Sequence, residues 1–181
     1  MTGWLVAAGE DAVVAKDFLA GAIARNGTAP GAIHADRGGA MVSKQVSELL
    51  VDLGVHRSHS RPRTSNDNPY SEAQFKTLKY SYDFPDRFGS LADARVYCEG
   101  FFTAYNHDHR QSGIGFHTPA SVHFGTADQV QAHRQATLDR AHAAHPERFA
   151  RRPRPPRLPD TVWINQPVSD QPSNIQLSQL T

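Results

Sequence analysis

Between residues 12 and 60 the apolar residues change period, and that alternation limits the fold more than any other feature. Val13, Val14, Phe18, Leu19, Ala22 and Ile23 recur at helical spacing, with Asp11 near the start and Gly27 just past the end. Ala32–Asp36 reads as a short strand that stops at Arg37-Gly38-Gly39. Val42, Val46, Leu49, Leu50 and Leu53 stand at offsets 0, 4, 7, 8 and 11, an amphipathic helix closed by Gly54. Val55–Ser60 is strand-like, and Trp4–Ala8 reads as one more short strand. Helix and strand in alternation specify an α/β layer.

The chain then changes character. Pro62, Ser65, Asn66 and Asn68 make residues 60–68 a loop, and Asn68 can cap a helix whose first position is Pro69. That helix carries Glu72, Phe75, Leu78 and Tyr82. A second helix puts Leu91, Ala94, Cys98, Phe101, Phe102 and Tyr105 on one stripe. Residues 106–125 are a His- and Gly-containing connection, and residues 126–145 a more polar helix. Arg151, Arg152, Arg154 and Arg157 alternate with Pro153, Pro155, Pro156 and Pro159, which predicts an extended arm. The tail from Val168 onward is expected to be disordered. This gives residues 1–125 as one unit and 126–181 as a helix, an arm and a tail.

Composition matters for what it excludes. A single cysteine, Cys98, leaves no intramolecular disulfide and no Cys-rich zinc site. No apolar run approaches the roughly 18 residues of a membrane span, and Met1–Val6 lacks the basic stretch of a secretory signal. A reducing, cytoplasmic setting is expected. Net charge is only +1, yet cations cluster. Residues 56–80 hold Arg57, Arg61, Arg63, Lys76 and Lys79 against Asp67 and Glu72, and residues 140–160 hold six Arg against Glu147 and Asp160. For the second cluster, a solvated face and a binding face stay equally open.

The chemistry concentrates on two acids. Asp36 stands at the C-terminal end of one predicted strand, and Glu72 stands in the first turn of a predicted helix, with 35 residues between them. Two carboxylates at about 4 Å repel by about 4 kcal/mol at an effective dielectric near 20. A shared Mg²⁺ or Mn²⁺ turns that penalty into a site suited to phosphoryl transfer. Glu72, Lys76 and Lys79 lie on one helix face, so an acid that holds metal sits beside cations that hold phosphate. A lone Glu-x-x-x-Lys is more often a surface pair. His107, Asp108 and His109 read as a solvated turn rather than a metal site. His59, before the loop, can reach a phosphate, whereas His56 reads as structural. Phe101, Phe102 and Tyr105 read as core rather than as a base-stacking platform, and Cys98 as a small buried hydrophobe.

Three stretches carry a resemblance: His34-Ala35-Asp36-Arg37-Gly38, then Ser58-His59-Ser60-Arg61-Pro62, then Ser65-Asn66-Asp67-Asn68-Pro69-Tyr70-Ser71-Glu72 running on to Phe75-Lys76-Thr77-Leu78-Lys79. Together they resemble the integrase catalytic core of bacterial insertion-sequence transposases, which is related to the retroviral integrases. Tyr105-Asn106, Arg110 and Thr118-Pro119 match the downstream signature, with Gln111 where a His is often found.

The resemblance implies a ribonuclease H-like α/β core followed by a helical and extended C-terminal region. It implies Asp36 and Glu72 as the second and third members of an Asp-Asp-Glu metal triad. Lys76, Lys79, Arg61, Arg63 and His59 would contact DNA, and Mg²⁺ or Mn²⁺ would be the cofactor. Partners would be transposon ends, target DNA, and a second copy or a full-length transposase, with no membrane involved. Glu10, Asp11 and Asp17 are the acids upstream of Asp36, and none falls on a strand. With Trp4–Ala8 matching the family's third strand, the first two strands and the first catalytic Asp are expected to be absent. Two further readings stand beside the transposase one: a catalytically inactive DNA-binding or dimerisation remnant, and a stand-alone metal nuclease.

Overall fold

In the computed structural model, residues 1–62, 64 and 67–163 are described. Helix α1 spans Ala12–Asn26, strand β1 Ala32–Ala35, helix α2 Lys44–Asp52 and strand β2 His56–His59. Helices α3 (Pro69–Lys79), α4 (Leu91–His107), α5 (Pro119–His123) and α6 (Ala127–Ala144) follow, with single 3-10 turns at Ser112–Ile114 and Pro146–Arg148. The expected α/β layer is present as a β1–α2–β2 unit. The two strands run parallel, in register from Ala32 opposite His56 to Ala35 opposite His59.

The helix ends follow from local chemistry. Asp11 accepts hydrogen bonds from the Val13 and Val14 amides at the start of α1, and Gly27 closes the helix in the left-handed region at φ 70°. Ser43 caps α2 through the Val46 amide, so α2 begins two residues later than the apolar pattern suggested, and Val42 is exposed. Val46, Leu50 and Val55 form the buried core, with Ala15, Leu19 and Ile33 packed against it. α1 therefore lies on α2, and α2 fixes the sheet. α3 stops at Lys79, so Tyr82 lies beyond it and is fully exposed. On α4, Phe102, Ala94 and Cys98 are buried as expected, and burial pushes the Cys98 thiol pKa up.

The Trp4–Ala8 strand does not form. Among the described residues no backbone ladder is available to it. Side chains hold the segment instead: Asn106 Nδ2 donates to the Met1 carbonyl, Asn26 Nδ2 to that of Thr2, and Arg95 Nε to that of Val6. Trp4 stacks on Phe102 with ring centres 5.6 Å apart. Short apolar runs satisfy a strap of this kind as well as they satisfy a strand.

The Arg/Pro arm is extended as expected, but it is docked. Arg152 makes a two-pronged bond to Asp139 of α6, and Gln135 Nε2 donates to the Pro153 carbonyl. Pro155 is buried. The arm crosses Gly115 so closely that a Cβ there would stand 2.5 Å from the Arg157 carbonyl oxygen. At Trp163 it meets α3, where the Tyr70 hydroxyl donates to the Trp163 carbonyl at 3.1 Å. The disorder expected from Val168 onward lies outside the described residues. No described helix is long and apolar enough to cross a membrane.

Candidate functional site

β1 ends one residue before Asp36, which places that carboxylate at the exposed rim of the sheet. The register that sets Ala35 opposite His59 brings Ser60 opposite Asp36, and Ser60 Oγ donates to Asp36 Oδ1 at 2.8 Å. Asn68 Nδ2 donates to the same oxygen at 3.1 Å. Asn68 occupies the cap position of α3 as expected, but its side chain makes no capping bond. Glu72 lies in the first turn of α3, where the helix dipole favours an acid. Asp36 and Glu72 both line one open cleft of about 470 Å³, with Arg37, Ser60, Arg61, Pro62 and Thr64 as its remaining walls.

Below the cleft the loop is tied down. Arg61 grips the buried Asp67 with Nε to Oδ2 and NH2 to Oδ1, both at 2.9 Å, and its backbone amide adds a third bond at 2.8 Å. Asp67 raises the Arg61 pKa, chiefly through the hydrogen bond and then through its charge. His34, on β1, places Nδ1 2.7 Å from Ser58 Oγ and Nε2 2.9 Å from the Asp67 carbonyl. A carbonyl only accepts, so Nε2 carries the hydrogen, and in the neutral ring Nδ1 accepts from Ser58.

The cationic side is more open. Lys76 and Lys79 are exposed on α3, and no described ion pair joins either to Glu72. Arg61 combines its bond to Asp67 with a side chain 70% exposed. Arg37 Nε donates to the Ser60 carbonyl at the cleft wall. His59 turns toward β1, with Nδ1 3.3 Å from the Ala35 carbonyl and Nε2 buried without a partner among the described residues. His56, read as structural, is exposed instead. Arg63 lies outside the described residues. His107, Asp108 and His109 are exposed at the end of α4, as a solvated turn requires. Phe101 and Tyr105 belong to a ladder of stacked rings from Tyr97 to His109. A larger cavity, about 1030 Å³ between α3 and α4, is lined largely by apolar side chains and by neither carboxylate.

A divalent cation fits this donor set in one respect. Mg²⁺ commonly uses one or two protein carboxylates and fills its remaining positions with water and substrate phosphate. Ser60 and Asn68 fix Asp36 through Oδ1, and Oδ2 carries no hydrogen bond among the described residues. A two-metal site needs more ligands, and no group of three or more metal-binding side chains is assembled among the described residues. Ser60, Asn68 and Asp67 are the site residues that sequence reasoning missed. Ser60 was within reach once the strand register was known. Asn68 hid behind its expected capping role.

Two models of the integrase core domain match the chain, one over residues 1–65 and the other over residues 53–119. Among solved structures, the chain is similar to one from the simian T-cell lymphotropic virus intasome in complex with the PP2A regulatory subunit B56 gamma. The match has a TM-score of 0.50 at 23% identity and covers 64% of this chain and 41% of that one. It is a likeness of fold. No curated protein gives a significant match.

Proposed function

With residues 1–119 carrying an integrase core domain, we propose that the chain is a DNA-integration polypeptide of the transposase type, acting on DNA at the Asp36–Glu72 cleft. One observation carries the reading: the two acids line a single open cleft at the foot of a helix whose lysines are unpaired by Glu72. The insertion-sequence relationship rests on the spacing of these acids and on the stretch from Tyr105 to Pro119.

Asp36 and Glu72 would hold a divalent cation, which when bound polarises a phosphoryl oxygen and activates the attacking oxygen. The chain's own residues do the rest. Ser60 and Asn68 keep Asp36 from rotating. Lys76 and Lys79 meet the DNA backbone as point charges, and Arg37 and Arg61 supply positive charge at the cleft walls. A strand of DNA lying along α3 would thus present a phosphate to the cleft.

The donor set favours a second, narrower reading. Two carboxylates hold a cation less firmly than three, so the chain by itself binds Mn²⁺ and DNA without strand transfer, and it modulates a full-length transposase. Purified chain should give no end cleavage or strand transfer with Mn²⁺. Robust activity that vanishes in Glu72→Gln would overturn this narrower reading and place a third acid at the cleft. DNA binding should be salt-sensitive and largely sequence-independent. Replacing Lys76 and Lys79 with Ala should flatten the salt slope by about two. An unchanged slope would move the DNA surface elsewhere, most plausibly to the Arg151–Arg157 arm. Self-association is proposed through the edge of β1 that no described strand pairs. A chain that sediments as a monomer at all concentrations would remove it.

A further inference from the structure

The loop that leads from β2 into α3 is anchored at its far end by a residue of β1, the strand that leads into Asp36. His34 reaches across from β1 and binds the backbone carbonyl of Asp67, 33 positions along the chain. Its other ring nitrogen meets Ser58 of β2, so the ring is held from both sides. Ser60 Oγ lies 3.4 Å from Nε2 while donating to Asp36, which puts His34, Ser60 and Asp36 in one chain of contacts. Residue 67 is followed directly by Asn68, the second donor to Asp36, and by Pro69, where α3 begins. No residue of α3 is fully buried, so packing does less to fix where this helix starts than it does for α2.

We propose that His34 is a positioning residue: its Nε2–H bond to the Asp67 carbonyl sets where α3 starts and thereby holds Asn68 on Asp36 and Glu72 at the cleft. The inference rests on the metal and DNA reading of that cleft. It assigns His34 no contact with substrate. The imidazole acts through the loop it ties.

The test uses the full chain and two readouts. Trypsin cutting after Lys76 under native conditions reports opening of α3, because cleavage follows the population of the open form when reclosing is fast. Mn²⁺ affinity reports the cleft. His34→Ala should be cut about tenfold faster, the weight of roughly one buried hydrogen bond, and should bind Mn²⁺ more weakly while keeping a cooperative melt. His34→Gln can place an amide N–H where Nε2 stands and should restore both readouts. His34→Asn can mimic only the Nδ1 side toward Ser58 and should not. This pair decides the matter even if His34→Ala fails to fold. Rescue by Asn and not Gln would overturn the clamp, as would equal cutting of the wild-type chain and His34→Ala. The readouts also separate the clamp from the reading beneath it. A wild-type chain that binds no Mn²⁺ overturns the metal reading, whatever the trypsin result.

Discussion

The two acids of the cleft are carried by regions built in opposite ways. Asp36 directly follows a strand whose neighbour, crossover helix and core residues Val46, Leu50 and Val55 are packed together. Glu72 rides on α3, which buries no residue and exposes Phe75 and Tyr70. The first acid is positioned by hydrophobic packing and then trimmed by two hydrogen bonds. The second is positioned by tethers gathered at the N-terminal end of its helix: His34 and Arg61 holding Asp67 just before it, and Tyr70 in its first turn holding the arm. Packing tolerates the loss of a polar contact, whereas a tethered helix depends on each one. The pairing joins a rigid acid to an adjustable one.

Substitutions should expose this contrast in order of size. Leu50 is 1% exposed at the centre of the packed half. Leu50→Ala should cost about 2–5 kcal/mol in denaturant unfolding, by lost burial and a cavity. A loss under about 1 kcal/mol would mean that Asp36 does not depend on that core. Asp67→Ala removes a carboxylate only 5% exposed together with its bonds to Arg61. About 1–3 kcal/mol is expected, because the freed guanidinium returns to water. The Mn²⁺ affinity of this variant should fall further than that of Leu50→Val, since it cuts a tether rather than thinning a core.

The arm gives a pH test of the tethered side. The Arg152 guanidinium, and after it the Gln135 amide, hold the Asp139 carboxyl down at about 2. A folded-state value below the usual carboxylate value of roughly 3.9 means that this contact stabilises docking above about pH 4. That contribution is lost as pH falls from about 4 toward 2. In a Trp4→Phe background, Trp163 fluorescence should change over that window, and Arg152→Ala should abolish the step. A step centred above pH 5 would implicate other groups. The smallest effect is expected at Phe75, 62% exposed on α3. Phe75→Ala should alter stability by less than about 0.5 kcal/mol. A large loss there would show that α3 has a packed face after all, and the contrast would collapse.

The packed half was the more legible in sequence, for a physical reason. Its signals are local: Asp11, Gly27 and Gly54 bracket helices within a few residues of the apolar pattern they end. The tethered half is written in long-range polar contacts that no local pattern encodes. Asn68 looks like a cap and serves Asp36. The Arg/Pro stretch looks like a free arm, yet Gln131 and Gln135 recognise its carbonyls. Trp4–Ala8 reads as a strand because five mostly apolar residues carry no information on whether a ladder awaits them. Asp36 and Glu72 were found from their spacing and from the family resemblance. What orients them depended on strand register.

The Tyr70–Trp163 contact joins residues 93 apart in the chain. Contacts of such separation form late, because loop closure must precede any gain. The β1–α2–β2 unit closes over about two dozen residues and is complete before α4 has been made. On a ribosome adding roughly 5–20 residues per second, seconds pass between the emergence of Tyr70 and that of Trp163. A growing chain therefore has Asp36 in place while the helix bearing Glu72 still lacks its second anchor, and the cleft becomes whole only after Trp163 has emerged.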